Sequence, residues 1–104
     1  MVAAEMTPTI VQKTYSPSTG MTGTPMRLVK YIFKFTKVTD GDWLVTADYF
    51  QAGTPLFWNA CTIDSSSDGV QEGTVGMTYT SSGTILTCDG GTAGTCTGEI
   101  WFEE

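Results

Sequence analysis

The sequence predicts an all-β protein, an antiparallel meander forming a small sandwich or barrel, preceded by an extended N-terminal arm. Three observations carry this reading. Apolar side chains recur with a period of two through several segments, the spacing of a half-buried strand. Turn residues (Gly, Ser, Asp) interrupt the chain at intervals of about 8–12 residues, as in sandwiches and barrels. Charged residues make up only 15% of the composition, well under the usual quarter or so, and Thr, Ser and Gly fill the gap. A chain of 104 residues forms one domain and buries roughly 65% of its unfolded surface, enough for one modest core.

Residues 1–26 form the arm. They hold Pro8, Pro17 and Pro25, three of the four prolines, with scattered single apolar residues, Ile10, Val11 and Tyr15 among them. Ordering about 25 such residues costs on the order of 25–50 kcal/mol of backbone entropy. The segment is therefore either a disordered leader or an arm that orders by lying across a surface, its own or a neighbour's.

Residues 27–104 form a single β-domain. In "RLVKYIFKFTKV", Val29, Tyr31, Phe33 and Phe35 share one side and Lys30, Lys34 and Thr36 the other, with Ile32 the exception. A helix would scatter these apolar residues around its circumference, so the segment is a strand with one buried face. "TDGDW" is an Asp-Gly turn. "WLVTADYF" reads either as a short strand or as a helical turn carrying Trp43, Ala47 and Phe50 inward. "LFWNACTID" is a strand with Phe57, Asn59, Cys61 and Ile63 on one face and Leu56, Trp58, Ala60 and Thr62 on the other. "SSSDG" turns the chain into "GTVGMTYT", and "SSG" turns it into "TILTC". "CTGEIWFEE" closes it, with Ile100 and Phe102 on one face and Trp101 on the opposite one.

The ending "LTCDGGTAGTCTGEIWFEE" raises the question of its two cysteines. If the flanking strands pair as a hairpin, Cys88 and Cys96 lie opposite one another at its mouth, within reach of a disulfide. Closing a loop of about nine residues would stabilise the fold by roughly 2–3 kcal/mol. The alternative is a pair of reduced, inert thiols. Cys61, inside an apolar strand, reads as a buried free thiol. Zinc is not expected, since three cysteines and no histidine cannot supply the usual four ligands.

The missing histidine also removes Ser and Cys triads and most acid/base machinery at neutral pH. The carboxylates Asp40, Asp42 and Asp48, and Asp64, Asp68 and Glu72, read as turn residues rather than a glycosidase pair or a calcium loop. "DGGTAGT" lacks the lysine of a phosphate loop and reads as a hairpin tip. No cofactor is expected.

Eleven acids against five bases give a net charge of −6, which argues against a nucleic-acid partner. Arg27, Lys30, Lys34 and Lys37 nevertheless cluster, with Lys13 the only other base. They are either a solvated strand face or a basic stripe that meets an acidic neighbour, including another copy of the chain. No apolar run approaches the ~18 residues that span a bilayer. The start shows no secretory signal, so the default expectation is a reducing cytosol, or a particle assembled there and later released. Trp58 and Trp101 are each out of phase with a more apolar face, and so are candidates for an exposed contact surface.

The lysine-alternating strand running into an Asp-Gly turn and Trp ("VKYIFKFTKVTDGDW"), the Gly/Thr-rich strands and the short terminal strand ("TGEIWFEE") together resemble the small β-proteins with which bacteriophages and related viruses decorate or cement their capsids. The resemblance covers residues 27–104 loosely. It implies a non-enzymatic virion protein that forms homo-oligomers, often trimers, and clamps a major capsid protein with an extended N-terminal arm. The alternative expectation is a secreted carbohydrate- or protein-binding β-module that uses exposed tryptophans. A small carboxylate hydrolase is a distant third.

Overall fold

Alternation after Pro25 yields the longest element of the computed structural model, which describes residues 2–19, 25–64 and 73–103. This strand, β2, spans Pro25–Lys37, and its Val29, Tyr31, Phe33 and Phe35 are all buried. Along one flank runs β1 (Thr9–Thr19), with Lys13 opposite Tyr31 and Tyr15 opposite Val29. Along the other runs β8 (Gly94–Glu103), with Gly98 opposite Phe33 and Phe102 opposite Val29. β4 (Phe57–Asp64) and the two-residue β5 (Gly73–Thr74) complete a five-stranded sheet in the order β1-β2-β8-β4-β5. β3 (Trp43–Val45), β7 (Ile85–Cys88) and β6 (Met77–Thr80) form a second sheet in the order β3-β7-β6. The strand pairings are antiparallel throughout.

The protein is a two-layer antiparallel β-sandwich. Its smallest extent, 19 Å, accommodates two sheets about 10 Å apart with the side chains on their outer faces. β1–β2, β4–β5 and β6–β7 are sequential neighbours, whereas β8, last in the chain, inserts between β2 and β4. Period-two alternation dictates which side chains point inward. It does not dictate which strand lies beside which.

Between the sheets, Phe33, Phe102, Leu44, Leu86, Ile100 and Val29 are the largest fully buried side chains. Gly98 lies between Phe33 and Ala60 in one cross-strand row. A Cβ on Gly98 would stand 2.9 Å from Phe33 Cζ and 3.0 Å from the Asn59 carbonyl oxygen, so the ring fills the hollow that the glycine leaves. Phe50 reaches the same cluster, its ring centroid 4.9 Å from Phe33 and 5.2 Å from Tyr31. The ambiguous "WLVTADYF" is both things in turn: β3, then one helical turn, α1 (Thr46–Tyr49). The inward residues are Leu44 and Thr46, while Ala47 is exposed and Trp43 half-buried. Thr46 is tolerated in the core because its N–H (2.8 Å) and hydroxyl (3.1 Å) both donate to the Thr84 carbonyl. "GTVGMTYT" is not one strand. The chain leaves the first sheet at β5 and enters the second at β6, with Val75 buried at the crossing and its N–H donating to the Ala60 carbonyl at 2.9 Å.

Within the N-terminal 26 residues, positions 9–19 run extended along the chain's own β2, and positions 4–6 are tied to β3. Met6 N–H donates to the Trp43 carbonyl (2.6 Å), and Trp43 N–H to the Ala4 carbonyl (3.2 Å). Asp42 holds this junction. Its buried carboxylate accepts N–H groups from Ala4 (3.0 Å), Val38 (2.9 Å) and Thr39 (3.1 Å), across the turn in which Gly41 takes φ +95°. Burial pushes the carboxyl up, but these three donors and the Lys37 charge outweigh it and hold Asp42 below the usual carboxylate range. Residues 20–24, which follow β1 and precede β2 in the chain, and the "SSSDG" turn with Asp68 and Glu72, lie outside the described residues.

Two stability measurements check this account. Gly98→Ala lowers the urea midpoint, because overpacking costs about 1–3 kcal/mol and the reduced entropy of the unfolded chain returns only about 0.4–1 kcal/mol. An unchanged midpoint would show that the Phe33 ring yields. Asp42→Asn loses about 2 kcal/mol at neutral pH, the worth of hydrogen bonds to a charged acceptor. The sign follows from the depressed carboxyl. Its contribution is complete above the unfolded value near 4 and is lost as pH falls through the lower folded value. Thermal unfolding curves of wild type and variant should therefore converge in acid.

Candidate contact surface

The two faces of the five-stranded sheet differ. Its inner face packs on β3, β7 and β6, and nothing among the described residues packs on its outer face. Register places the outward side chains in cross-strand rows. Thr14, Lys30, Trp101 and Phe57 form one row, and Gln12, Ile32, Glu99 and Asn59 the next. Lys34, Thr97, Cys61 and Thr74 make a third, and Leu28 lies opposite Glu103 at the end nearer Trp101.

Trp101 is half-buried in this face, with Lys30 Nζ 5.2 Å from its ring centroid, a cation–π contact. Phe57 beside it is 51% exposed, and Leu56, which precedes β4, is 54% exposed. Next to that aromatic pair is a shallow depression of about 260 Å³ lined by Ile32, Asn59, Cys61, Thr97 and Glu99. Ile32, the apolar exception on the polar side of β2, marks this second face in the sequence. Phe57 and Leu56 carried no such signal, because either phase of "LFWNACTID" is largely apolar.

Trp58 does not join this surface. It lies in register with Ile100 and points inward, its Nε1–H donates to the Met77 carbonyl at 3.1 Å, and its ring packs 5.9 Å from Tyr79 of the opposite sheet. The expected contact residue is instead a brace between layers. Phase explains it: the inward face of β4 is Trp58, Ala60 and Thr62, not the more apolar-looking Phe57, Cys61 and Ile63. Ile10, Val11 and Tyr15 are exposed on the edge strand β1. Arg27 lies 4.4 Å and Lys13 5.1 Å from the Tyr15 ring centroid, and Lys13 also reaches Tyr31 at 5.3 Å. Cations thus cover the aromatic side of that edge.

The basic cluster also divides. Lys37 falls on the inward phase of β2 and is buried. Its ammonium donates to the Gly91 carbonyl at 2.8 Å and pairs with Asp40 at 2.7 Å. Lys30 and Lys34 point outward.

The Cys88–Cys96 hairpin does not form. β7 pairs with β3 and β6, and β8 with β2 and β4, so the two cysteines belong to different sheets. Both are buried free thiols, and Cys61 is a half-buried one. The intervening "DGGTAGT" is a crossing between layers rather than a hairpin tip. Gly91 takes φ +95° there, and a Cβ on it would meet the Thr74 carbonyl oxygen at 2.9 Å. Burial pushes the Cys88 thiol up to about 11, with Cys96 adding to the effect. Such a thiol is a packing residue and not a nucleophile.

Among the described residues, no group of three Cys, Asp or Glu is placed to hold a metal ion, and no helix is long and apolar enough to cross a membrane. A second hollow of about 520 Å³ opens beneath the N-terminal segment, lined by Glu5, Met6, Lys34, Phe35, Val38 and Asp42 among others. Its carboxylate Asp42 is committed to backbone donors. No family model, curated protein or solved structure matches the chain.

A thiol titration checks the cysteine geometry. The denatured chain, never exposed to reductant, should yield three free thiols, and the native chain should release only Cys61 to a thiol reagent. One thiol after denaturation would reinstate the bridge.

Proposed function

We propose that this chain is a non-enzymatic structural protein of a virus particle, of the capsid-decoration type, which self-associates and docks on capsid subunits. The observation that carries the reading is the outer face of the five-stranded sheet. It has a half-buried Trp101, an exposed Phe57 and, at its centre, Ile32. Aromatic and aliphatic side chains framed by Lys, Glu and Asn are the composition of a protein-binding patch. Trp58 and Trp101 point to opposite faces of the same sheet, which counts against a sugar platform built from both. The capsid context comes from the resemblance of residues 27–104 to decoration proteins. Residues 9–19 are engaged with β2, so this reading assigns self-association to the sheet face and docking to the self-associated protein rather than to a free arm.

Mass spectrometry of purified virus particles from the source of this sequence tests the proposal. The polypeptide should be present in fixed proportion to the major capsid protein and should be lost from particles assembled with Trp101→Ala. Its absence from particles overturns the reading.

A further inference from the structure

Of the surfaces through which this sandwich can associate, its sheet edges are blunted. β1 carries a bulge between Ile10 and Gln12 and the charge of Lys13, and β5 at the opposite edge is two residues long. Bulges, lysines and short strands are the features that discourage edge-to-edge pairing. The outer face has no such protection.

Its charges are arranged in a particular order. Lys30 and Lys34 point outward from β2, and Glu99 and Glu103 from the adjacent β8. Register sets Lys30 level with Trp101, between the two glutamates, and Glu99 level with Ile32, between the two lysines. Along the strand direction the order is therefore Lys34, Glu99, Lys30, Glu103, with successive charges about 7 Å apart, two residues of strand rise. Among the described residues none of the four makes an ion pair. Two lysines and two glutamates cancel, so the β2–β8 strip of this face is locally neutral in a chain of net charge −6.

We propose that a second copy of the chain covers this face, related by a two-fold axis that lies in the plane of contact, perpendicular to β2 and β8, level with the midpoint between Ile32 and Lys30. That operation lays β2 of one copy over β2 of the other and β8 over β8, each running in the opposite direction. Register then sets Lys30 level with Glu99 of the facing copy and Lys34 level with its Glu103. An isologous contact of this kind makes every attraction twice. The available area fits. Four long strands about 4.8 Å apart and about 33 Å long present roughly 600–800 Å², close to the ~800 Å² per partner of a standard stable interface. The inference rests on the proposed contact function and names its self-association.

Light scattering and sedimentation of the full chain over a concentration series test it by charge reversal. Wild type should be a dimer. K30E/K34E and E99K/E103K should each dimerise at least about a hundredfold more weakly, since like charges would then oppose one another. An equimolar mixture of these two variants should form a heterodimer, and the fourfold reversal should dimerise again. The exchanged side chains point to solvent, and recovery in the mixture shows that both variants are folded. Should either variant fail to fold, the wild-type mass decides: a monomer or a trimer overturns the two-fold. Two variants that stay monomeric on mixing overturn it as well. A monomeric chain found on virus particles would sink this dimer and spare the proposed function, whereas a dimeric chain absent from particles would do the reverse.

Discussion

The sandwich depends on one cross-strand row, Phe33–Gly98–Ala60, in which a phenyl ring lies over two positions with little or no side chain. The next inward row, Tyr31–Ile100–Trp58, carries three large side chains. In the Phe33 row the two small residues make a hollow and the ring fills it, stacking on Phe35 at 5.5 Å and tilting against Phe50 at 4.9 Å. Because Gly98 is on β8, this fit exists only once the last strand has inserted between β2 and β4. Leu28 pairs with Glu103, so closing the core joins positions separated by most of the domain. Such topology pays its loop-closure entropy before the contacts that reward it, and places the protein among slow-folding β-architectures.

Polar groups close the interior at the end where β2 finishes, and each is matched. Asp42 gathers three N–H groups from the turn and the N-terminal segment. Lys37 takes the Gly91 carbonyl, and the Thr62 hydroxyl takes that of Thr92. No buried side-chain nitrogen or oxygen among the described residues lacks a partner. That matters because an unmatched buried donor or acceptor costs about 1–3 kcal/mol, more than a typical matched one contributes. The inside of the molecule is thus fully committed to holding its two layers together. Reactive potential is removed there too, as the burial-raised thiol of Cys88 illustrates.

Much of this architecture is legible in the sequence, and what is not has identifiable causes. Val29, Tyr31, Phe33 and Phe35 declare their buried face because Lys30 and Lys34 stand between them, and Ile100 with Phe102 declare theirs because Glu99 and Glu103 flank them. Gly41 declares its turn. β4 misleads because both phases of "LFWNACTID" are apolar. Only the tertiary partner, Tyr79 and the Met77 carbonyl, draws Trp58 inward and leaves Phe57 outside. Lys37 misleads by its chemistry: a lysine reads as exposed until a carbonyl and a carboxylate are brought to it from positions 91 and 40. The hairpin expected around Cys88 and Cys96 failed on topology. Two strands flanking a glycine-rich loop look like a hairpin, and no local feature says that the loop crosses between layers. The candidate surface was half-visible, through Trp101 and the anomalous Ile32, but the rows that unite them with Phe57, Lys30 and Glu99 exist only in the pairing of distant strands.

The distribution of charge gives the outer face its meaning. A chain with net charge −6 repels its own copies, and that repulsion falls off over roughly 10 Å in ordinary salt. Approach is least opposed where the field is weakest, and the β2–β8 strip, with its two lysines and two glutamates, is locally neutral. The same alternation makes a displaced contact unfavourable. Sliding one copy by a single same-face step, about 7 Å, sets lysine over lysine and glutamate over glutamate. The acidic remainder of the molecule discourages every other approach, while the strip rewards one register. A sandwich with blunted edges, a filled interior and one neutral, ordered strip on its outer face is built to be covered there.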